Sequence, residues 1–244
     1  MTTSAPVPAS VTTGIFGAVA DWSQPMVTYY DHDSGERTEL SAATLGNWAA
    51  KSANFFVDEL GLAPGDELRV DLPEHWQTIA ILLGAWWAGA HVRLDDDTDT
   101  AAVAAVITSA DRIDAYGDVD ELLVASLDPF AMGVRDLPIG VTDFASAVRV
   151  HGDQYALRSP VTGPVLDGQP VGAVLAAART AAEAEGIVAG ARALSVRSWR
   201  TGADVQTNLL APLIVGASLV TVSHADATRL DALADTERAT VTLR

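Results

Sequence analysis

From residue 60 to residue 95 the chain spells out one order of parts: helix stop, turn, strand, wholly apolar helix, strand. Gly61 stands where the end of a helix needs left-handed backbone, and Pro64-Gly65-Asp66 is a turn triplet. Leu68–Leu72 reads as extended. Pro73-Glu74 then opens a helix that is apolar on every side from Thr78 to Trp87, as expected of a helix wedged between a sheet and another layer. Ala88-Gly89-Ala90 ends that helix and His91–Leu94 follows as a strand. Strands that alternate with helices in this way build a largely parallel sheet covered on both faces.

The same alternation is legible on both sides of this stretch. Val27–Tyr30 and Arg37–Leu40 read as two short strands joined by the polar turn 31–36, and Ser41 caps a helix carrying Leu45, Trp48, Ala49, Ser52, Phe55 and Phe56 at helical spacing. Beyond Asp95 the pattern predicts a helix at Ala101–Ser109, a strand near Arg112–Tyr116, a helical turn at Val119–Glu121 and an extended Leu122–Leu127. Asp128–Gly168, punctuated by prolines and glycines, reads as an irregular connector with a short helix near Asp143–Val150. The alternation then resumes: helix Val171–Ala184, strand Ala193–Arg197, helix Asp204–Val215, strand Ser218–Val222, helix Ala227–Leu233 and strand Thr240–Leu243. The expected architecture is α/β: two packed halves of mostly parallel sheet flanked by helices. Along the chain this gives an extension at 1–26, a first half at 27–127, the connector at 128–168 and a second half at 169–244.

Composition narrows the function classes. The 244 residues carry a formal net charge of −17, and Lys51 is the sole lysine among 15 basic residues. Nucleic acid is therefore not an expected partner, since lysine and arginine are what neutralise phosphates. The absence of cysteine excludes disulfides, thiolate nucleophiles and Cys-ligated metals. The longest apolar run, Ile79–Ala90, has 12 residues, against the roughly 18 to 20 needed to cross a bilayer. No membrane span is expected, and the start Met1-Thr2-Thr3-Ser4-Ala5-Pro6 lacks the basic-then-apolar pattern of a secretory signal. The expected location is the cytoplasm.

Several motifs, taken in order, resemble the opening half of the adenylate-forming enzymes, the acyl-CoA synthetases and their relatives. Leu60-Gly61-Leu62-Ala63-Pro64-Gly65-Asp66 resembles that family's Leu-Gly-x-x-x-Gly-Asp turn, and Ala88-Gly89-Ala90 to Leu94-Asp95 resembles its Ala-Gly-Ala turn into a short strand, with Arg93 where proline is usual. Leu209-Leu210-Ala211-Pro212-Leu213-Ile214-Val215-Gly216-Ala217 resembles its Leu-Leu-x-Pro-Leu-x-x-Gly-Ala segment, and 238–242 the strand after it. Length and the stretch Pro138–Phe144 also resemble a group of short proteins from GC-rich bacteria that match only this N-terminal portion. The resemblance implies the N-terminal-domain fold of acyl-CoA synthetases, truncated.

The chemistry implied by the resemblance is incomplete in these residues. Moving a phosphoryl group needs cationic or N–H stabilisation of its charge, which the family draws from a Ser/Thr/Gly loop ending Pro-Lys-Gly and from a lysine on a later domain. Lys51 sits on the first predicted helix, so it matches neither. The nearest stand-in for the loop is Ser159–Gly168, where Thr162, Gly163 and Gly168 are the candidate ligand contacts. Gln169-Pro170 replaces the Lys-Ser/Thr expected after such a glycine pair, and an ordinary Pro/Gly connector is the alternative. In acyl-activating relatives an aromatic-His pair precedes the Leu-Leu-x-Pro-Leu helix; here Ser198-Trp199-Arg200 stands there without a histidine. Trp199 and Arg200 are candidates to line a pocket for an anionic apolar ligand, the alternative being a Trp that caps the sheet edge beside a solvated Arg.

Asp95-Asp96-Asp97-Thr98-Asp99 spaces carboxylates like the start of a calcium loop, but Thr100 and Val106 fall where that loop needs Gly and Glu. His32, His75, His91, His151 and His224 show no metal-ligand spacing. No metal, no catalytic residue and no resident cofactor is expected, with ATP or AMP kept open through the resemblance alone. The reading is a catalytically incomplete relative of the adenylate-forming enzymes with a binding, regulatory or structural role. The alternative is a nucleotide-, acyl- or CoA-binding protein that works with a separate chain. A homo-oligomer or a partner protein is left open.

Overall fold

The computed structural model describes residues 6–94 and 103–244. The acidic stretch Asp95–Asp99, Thr100 and the first five residues of the chain lie outside the described residues. Among the described residues twelve strands form two sheets: β1 (Pro25–Asp31), β2 (Arg37–Ser41), β3 (Glu67–Asp71), β4 (His91–Arg93), β5 (Val103–Ser109), β6 (Leu122–Ala125), β7 (Val141–Asp143), β8 (Pro164–Leu166), β9 (Gln169–Pro170), β10 (Arg192–Ser195), β11 (Ser218–Ser223) and β12 (Val241–Leu243). The helices are α1 (Val11–Phe16), α2 (Ala42–Asp58), α3 (Trp76–Ala88), α4 (Phe144–Arg149), α5 (Val171–Ala184), α6 (Gly202–Asp204), α7 (Ala211–Ile214) and α8 (Leu230–Glu237). A π-helical stretch, Val205–Leu210, joins α6 to α7.

The five-stranded sheet has the order β12-β10-β11-β1-β2 and the seven-stranded sheet β7-β6-β5-β3-β4-β8-β9. Among the described residues only the hairpins β1–β2 and β8–β9 pair antiparallel. The mostly parallel α/β architecture expected from the sequence is therefore present, but the sheets do not follow the division into successive halves. Hairpin β1–β2 leaves the first half to join the strands of the second, because β1 pairs in parallel with β11 from Val27↔Leu219 to Asp31↔Ser223. The connector supplies β7 and the hairpin β8–β9 to the other sheet. Hydrophobic pattern fixes which face of a strand is buried and says nothing about which distant strand lies beside it.

Three element assignments are corrected. The described part of the expected helix 101–109 is strand β5, buried between β3 and β6, and its Val, Ile and Thr residues suit a central parallel strand whose apolar run hides the alternation. The expected strand 112–116 is a 3₁₀ helix, Ala110–Tyr116, which places Arg112 and Tyr116 on the Asp71 carboxylate at 2.5 and 2.7 Å. Val119–Glu121 carries no helical turn. His75, two residues later than expected, caps α3 by accepting the Gln77 N–H. Within the expected N-terminal extension, α1 is a core element: Val11 and Ile15 are fully buried and Thr12 Oγ1 donates to the Leu83 carbonyl at 2.5 Å.

The main core runs through α1, α2, α3, α5 and the 205–214 helical run, and reaches strands of both sheets. Where α2 crosses α3 the backbones nearly touch. A Cβ on Gly84 would lie 2.4 Å from the Ser52 Cβ and 2.9 Å from the Ala49 carbonyl oxygen. Gly→Ala in a helix ordinarily gains about 1 kcal/mol, but here the obstacle is partly backbone, so Gly84→Ala is expected to destabilise by about 1 to 3 kcal/mol. A urea midpoint equal to or above that of the parent protein would refute this packing.

Lys51 projects from α2 and donates to the carbonyls of His151, at 2.5 Å, and Arg149, at 3.4 Å. The single lysine thus ties α2 to the end of α4.

Candidate functional site

In parallel sheets ligands collect outside the carboxyl ends of the strands, where the backbone opens into loops. A cleft of about 480 Å³ lies at that end of the five-stranded sheet. Its walls come from the end of β1 (Tyr29, Asp31), the turn after β3 (Pro73, Glu74, His75), the segment after β10 (Val196, Arg197, Ser198, Arg200) and the end of β11 (Thr221 to Ala225), with Leu127 closing one side.

Glu74 organises one wall. Its carboxylate accepts from Ser198 Oγ at 2.6 Å, the Trp199 N–H at 3.2 Å and the Arg200 guanidinium at 3.4 Å. Burial alone would push this carboxyl up, but those donors outweigh it and hold it below the ordinary glutamate value. Ser198 is fixed from behind, since Asn208 Nδ2 donates to its carbonyl at 2.6 Å. Asn208 reaches it from the π-helical stretch, an element that frequently marks functional sites.

The floor holds His75, which is 3% exposed. Its Nδ1 accepts the Gln77 N–H at 3.2 Å, which places the ring proton on Nε2, 3.5 Å from Glu36 Oε1. Burial lowers its pKa to about 4 despite the nearby Asp31 and Asp128 carboxylates, so the ring is neutral at physiological pH. The Tyr29 ring meets it edge-on at 4.6 Å, and burial raises the Tyr29 hydroxyl to about 12.

The rim opposite carries His224, whose backbone has φ +49°, a conformation non-glycine residues adopt at a cost. That conformation brings Nδ1 to 2.9 Å from Asp31 Oδ1. The hydrogen bond to Asp31 raises the His224 pKa. Burial pushes Asp31 the other way, but the bonds from His224, the Asp33 N–H and Ser34 prevail and keep its pKa low.

The five sequence candidates do not gather at one place. Arg200 lines the cleft with its side chain 68% exposed. Trp199 is buried beside a separate hollow of about 30 Å³ that it shares with Arg200, Val70 and Thr78. Thr162 is exposed, Gly163 has φ +96°, and Gly168 forms with Asp167 the two-residue turn of the β8–β9 hairpin. The Gly168 N–H is occupied by His91 Nε2 at 3.1 Å. None of these three lines the cleft.

Asp31, Glu74, His75, Ser198 and His224 were not singled out from sequence as site residues. Glu74 and His75 had a usable signal, a polar pair directly after a strand. Among the described residues no group of three or more His, Cys, Asp or Glu is placed to hold a metal ion, and no helix is long and apolar enough to cross a membrane.

No family model matches the chain. A TIGR03089 family protein from Mycobacterium tuberculosis (strain ATCC 25618 / H37Rv) is 44% identical over 224 residues, covering 91% of this chain and 92% of the relative. Among solved structures, an acyl-CoA synthetase from Brucella canis superposes with a TM-score of 0.76 at 18% identity, over 98% of this chain and 48% of that one. ATP-bound MatB from Rhodopseudomonas palustris gives 0.73 at 14% identity, over 96% and 49%. The chain has the fold of the N-terminal half of acyl-CoA synthetases and spans about half the length of these solved structures.

Proposed function

The chain belongs to the TIGR03089 family, and from its cleft we propose that it is a binding protein: it takes a small organic anion with an apolar body and does not ligate it. The observation that carries this reading is the pairing of an available guanidinium with an apolar wall. Among the described residues Arg200 has one polar contact, the 3.4 Å approach to Glu74, while Pro73, Leu127, Val196, Val222 and Ala225 offer apolar surface beside it. An arginine with donors to spare is suited to a carboxylate, which it can hold through two parallel bonds.

The engagement of Lys51 with two backbone carbonyls favours binding over ligation, because it commits the only lysine to the scaffold. The occupied N–H of Gly168 weighs against a phosphate cradle in the 159–168 loop.

Benzoate and octanoate are the test ligands. Either, at 100 times its dissociation constant, is expected to stabilise the fold by about 2.7 kcal/mol, read as a thermal shift. Arg200→Glu is expected to weaken binding at least about tenfold, the equivalent of one lost charge-assisted hydrogen bond. Pyrophosphate release on adding ATP with either acid would overturn the non-ligating part, and no shift with either acid would overturn the binding part.

A further inference from the structure

The charged side chains lining the cleft are two carboxylates, Asp31 and Glu74, two guanidiniums, Arg197 and Arg200, and His224. The carboxylates and guanidiniums cancel, and the buried His75 stays neutral. The cleft is therefore electrically balanced while His224 is neutral and positive when His224 is protonated, within a chain of formal charge −17. Both carboxylates already have donors: Glu74 holds Ser198, Trp199 and Arg200, and Asp31 holds His224. Arg197 is also engaged, by Glu185 at 2.6 Å and the Arg244 carbonyl. Among the described residues the second ring nitrogen of His224, Nε2, has no hydrogen-bond partner and is left for a ligand.

We infer that protonated His224 is the second anchor for the ligand's anionic group, held in place by Asp31, and that an anion binding while the ring is neutral takes up one proton. This rests on the reading of the cleft as a site for an organic anion. Arg200 and His224 approach from the ends of β10 and β11, neighbouring strands in the sheet. A carboxylate between them would accept from the guanidinium and from the Nε2–H, with its apolar body along Pro73 and Leu127.

The groups facing His224 favour the charged ring. Asp31 on β1 contributes most through its hydrogen bond, and Asp33 in the following turn and Glu74 after β3 add to it by charge. On its own segment the Asp226 N–H is occupied by His32 Nδ1 at 2.9 Å. Exposure of the ring lets protons exchange freely.

The test is benzoate affinity by calorimetry between about pH 6 and pH 9, repeated in buffers of different ionisation enthalpy. Affinity is expected to fall roughly tenfold over that range, the equivalent of one charge-assisted hydrogen bond, with net proton uptake greatest between the free and ligand-bound midpoints of His224 and little at the acidic end, where the free ring is already charged. Asn tolerates left-handed backbone better than most residues, so His224→Asn is expected to fold, bind roughly tenfold more weakly at the acidic end and lose the pH dependence. Asp31→Asn is expected to move the transition to lower pH. An NMR titration of the His224 ring in the unaltered protein needs no variant, and its midpoint should rise when benzoate is added. Binding that ignores pH, a pH dependence that survives His224→Asn, or an unmoved midpoint overturns this inference and leaves the cleft reading standing. Absence of benzoate binding at every pH overturns both.

Discussion

Trp86→Ala is expected to lower the free energy of unfolding by about 3 to 5 kcal/mol, the usual range for emptying a buried aromatic site. Trp86 is fully buried on α3, and its Nε1–H donates to the Val165 carbonyl at 3.0 Å. The substitution would remove dispersion contacts on all sides of the ring and leave a buried carbonyl on β8 without that donor. Strand β8 pairs with β4 through Val92↔Leu166, so it depends heavily on this tether. Trp86→Phe separates the two contributions: it keeps most of the volume, loses the bond, and should cost about 1 to 2 kcal/mol. Urea unfolding measures both, and a loss below about 1 kcal/mol for the alanine variant would contradict the tether and the packing together.

Stability is also expected to fall by about 3 kcal/mol on acidification through the His75 window. The folded-state pKa is about 4 and the unfolded value 6.5, so between these limits the unfolded chain binds the extra proton. The contribution is fully present above about pH 6.5, declines as the pH falls, and is exhausted below about pH 4. Glu36, whose pKa burial raises, and other carboxylates titrate in the same region, so the comparison must be with a variant. His75→Asn is suitable because Asn is a strong N-cap and preserves the cap on α3. The difference in unfolding free energy between parent and variant, followed from about pH 7 to pH 4, should carry a slope approaching 1.4 kcal/mol per pH unit. Parallel curves would mean that His75 titrates alike in both states.

These elements were unequally legible in the sequence. Helix α5 was readable to its ends, Val171 and Ala184, because an amphipathic repeat between a Pro cap and a Gly stop leaves little choice. The Gly61, Gly65 and Gly89 turns were readable because all three have positive φ, which glycine adopts without strain. Strand β5 was misread because a central parallel strand has no polar face to set its period. Strands β7, β8 and β9, of three, three and two residues, were missed because they lie in or against the Pro- and Gly-rich connector, without the preceding helix that marks the equally short β4 and β12.

The candidate site divides in the same way. Arg200 was visible because its position is set by the helix that follows it. The His224–Asp31 pair was not, because the residues stand 193 apart in the chain and meet only through the register of β1 on β11. Lys51 was correctly placed on a helix, but its two carbonyl partners on the α4 segment could not be inferred from local pattern.

The parallel pairing of β1 with β11 also sets a timetable. During synthesis at about 5 to 20 residues per second, the β1–β2 hairpin leaves the ribosome roughly 10 to 40 seconds before β11 exists. For that interval the hydrogen-bonding edge of β1 that β11 will cover faces water, the exposure that invites strand-to-strand aggregation. Chain closure across such a separation is slow, so the final rate-limiting step should be docking of 218–223 onto the waiting hairpin. The cleft would then be the last feature to appear, and its ligand could recognise only finished molecules.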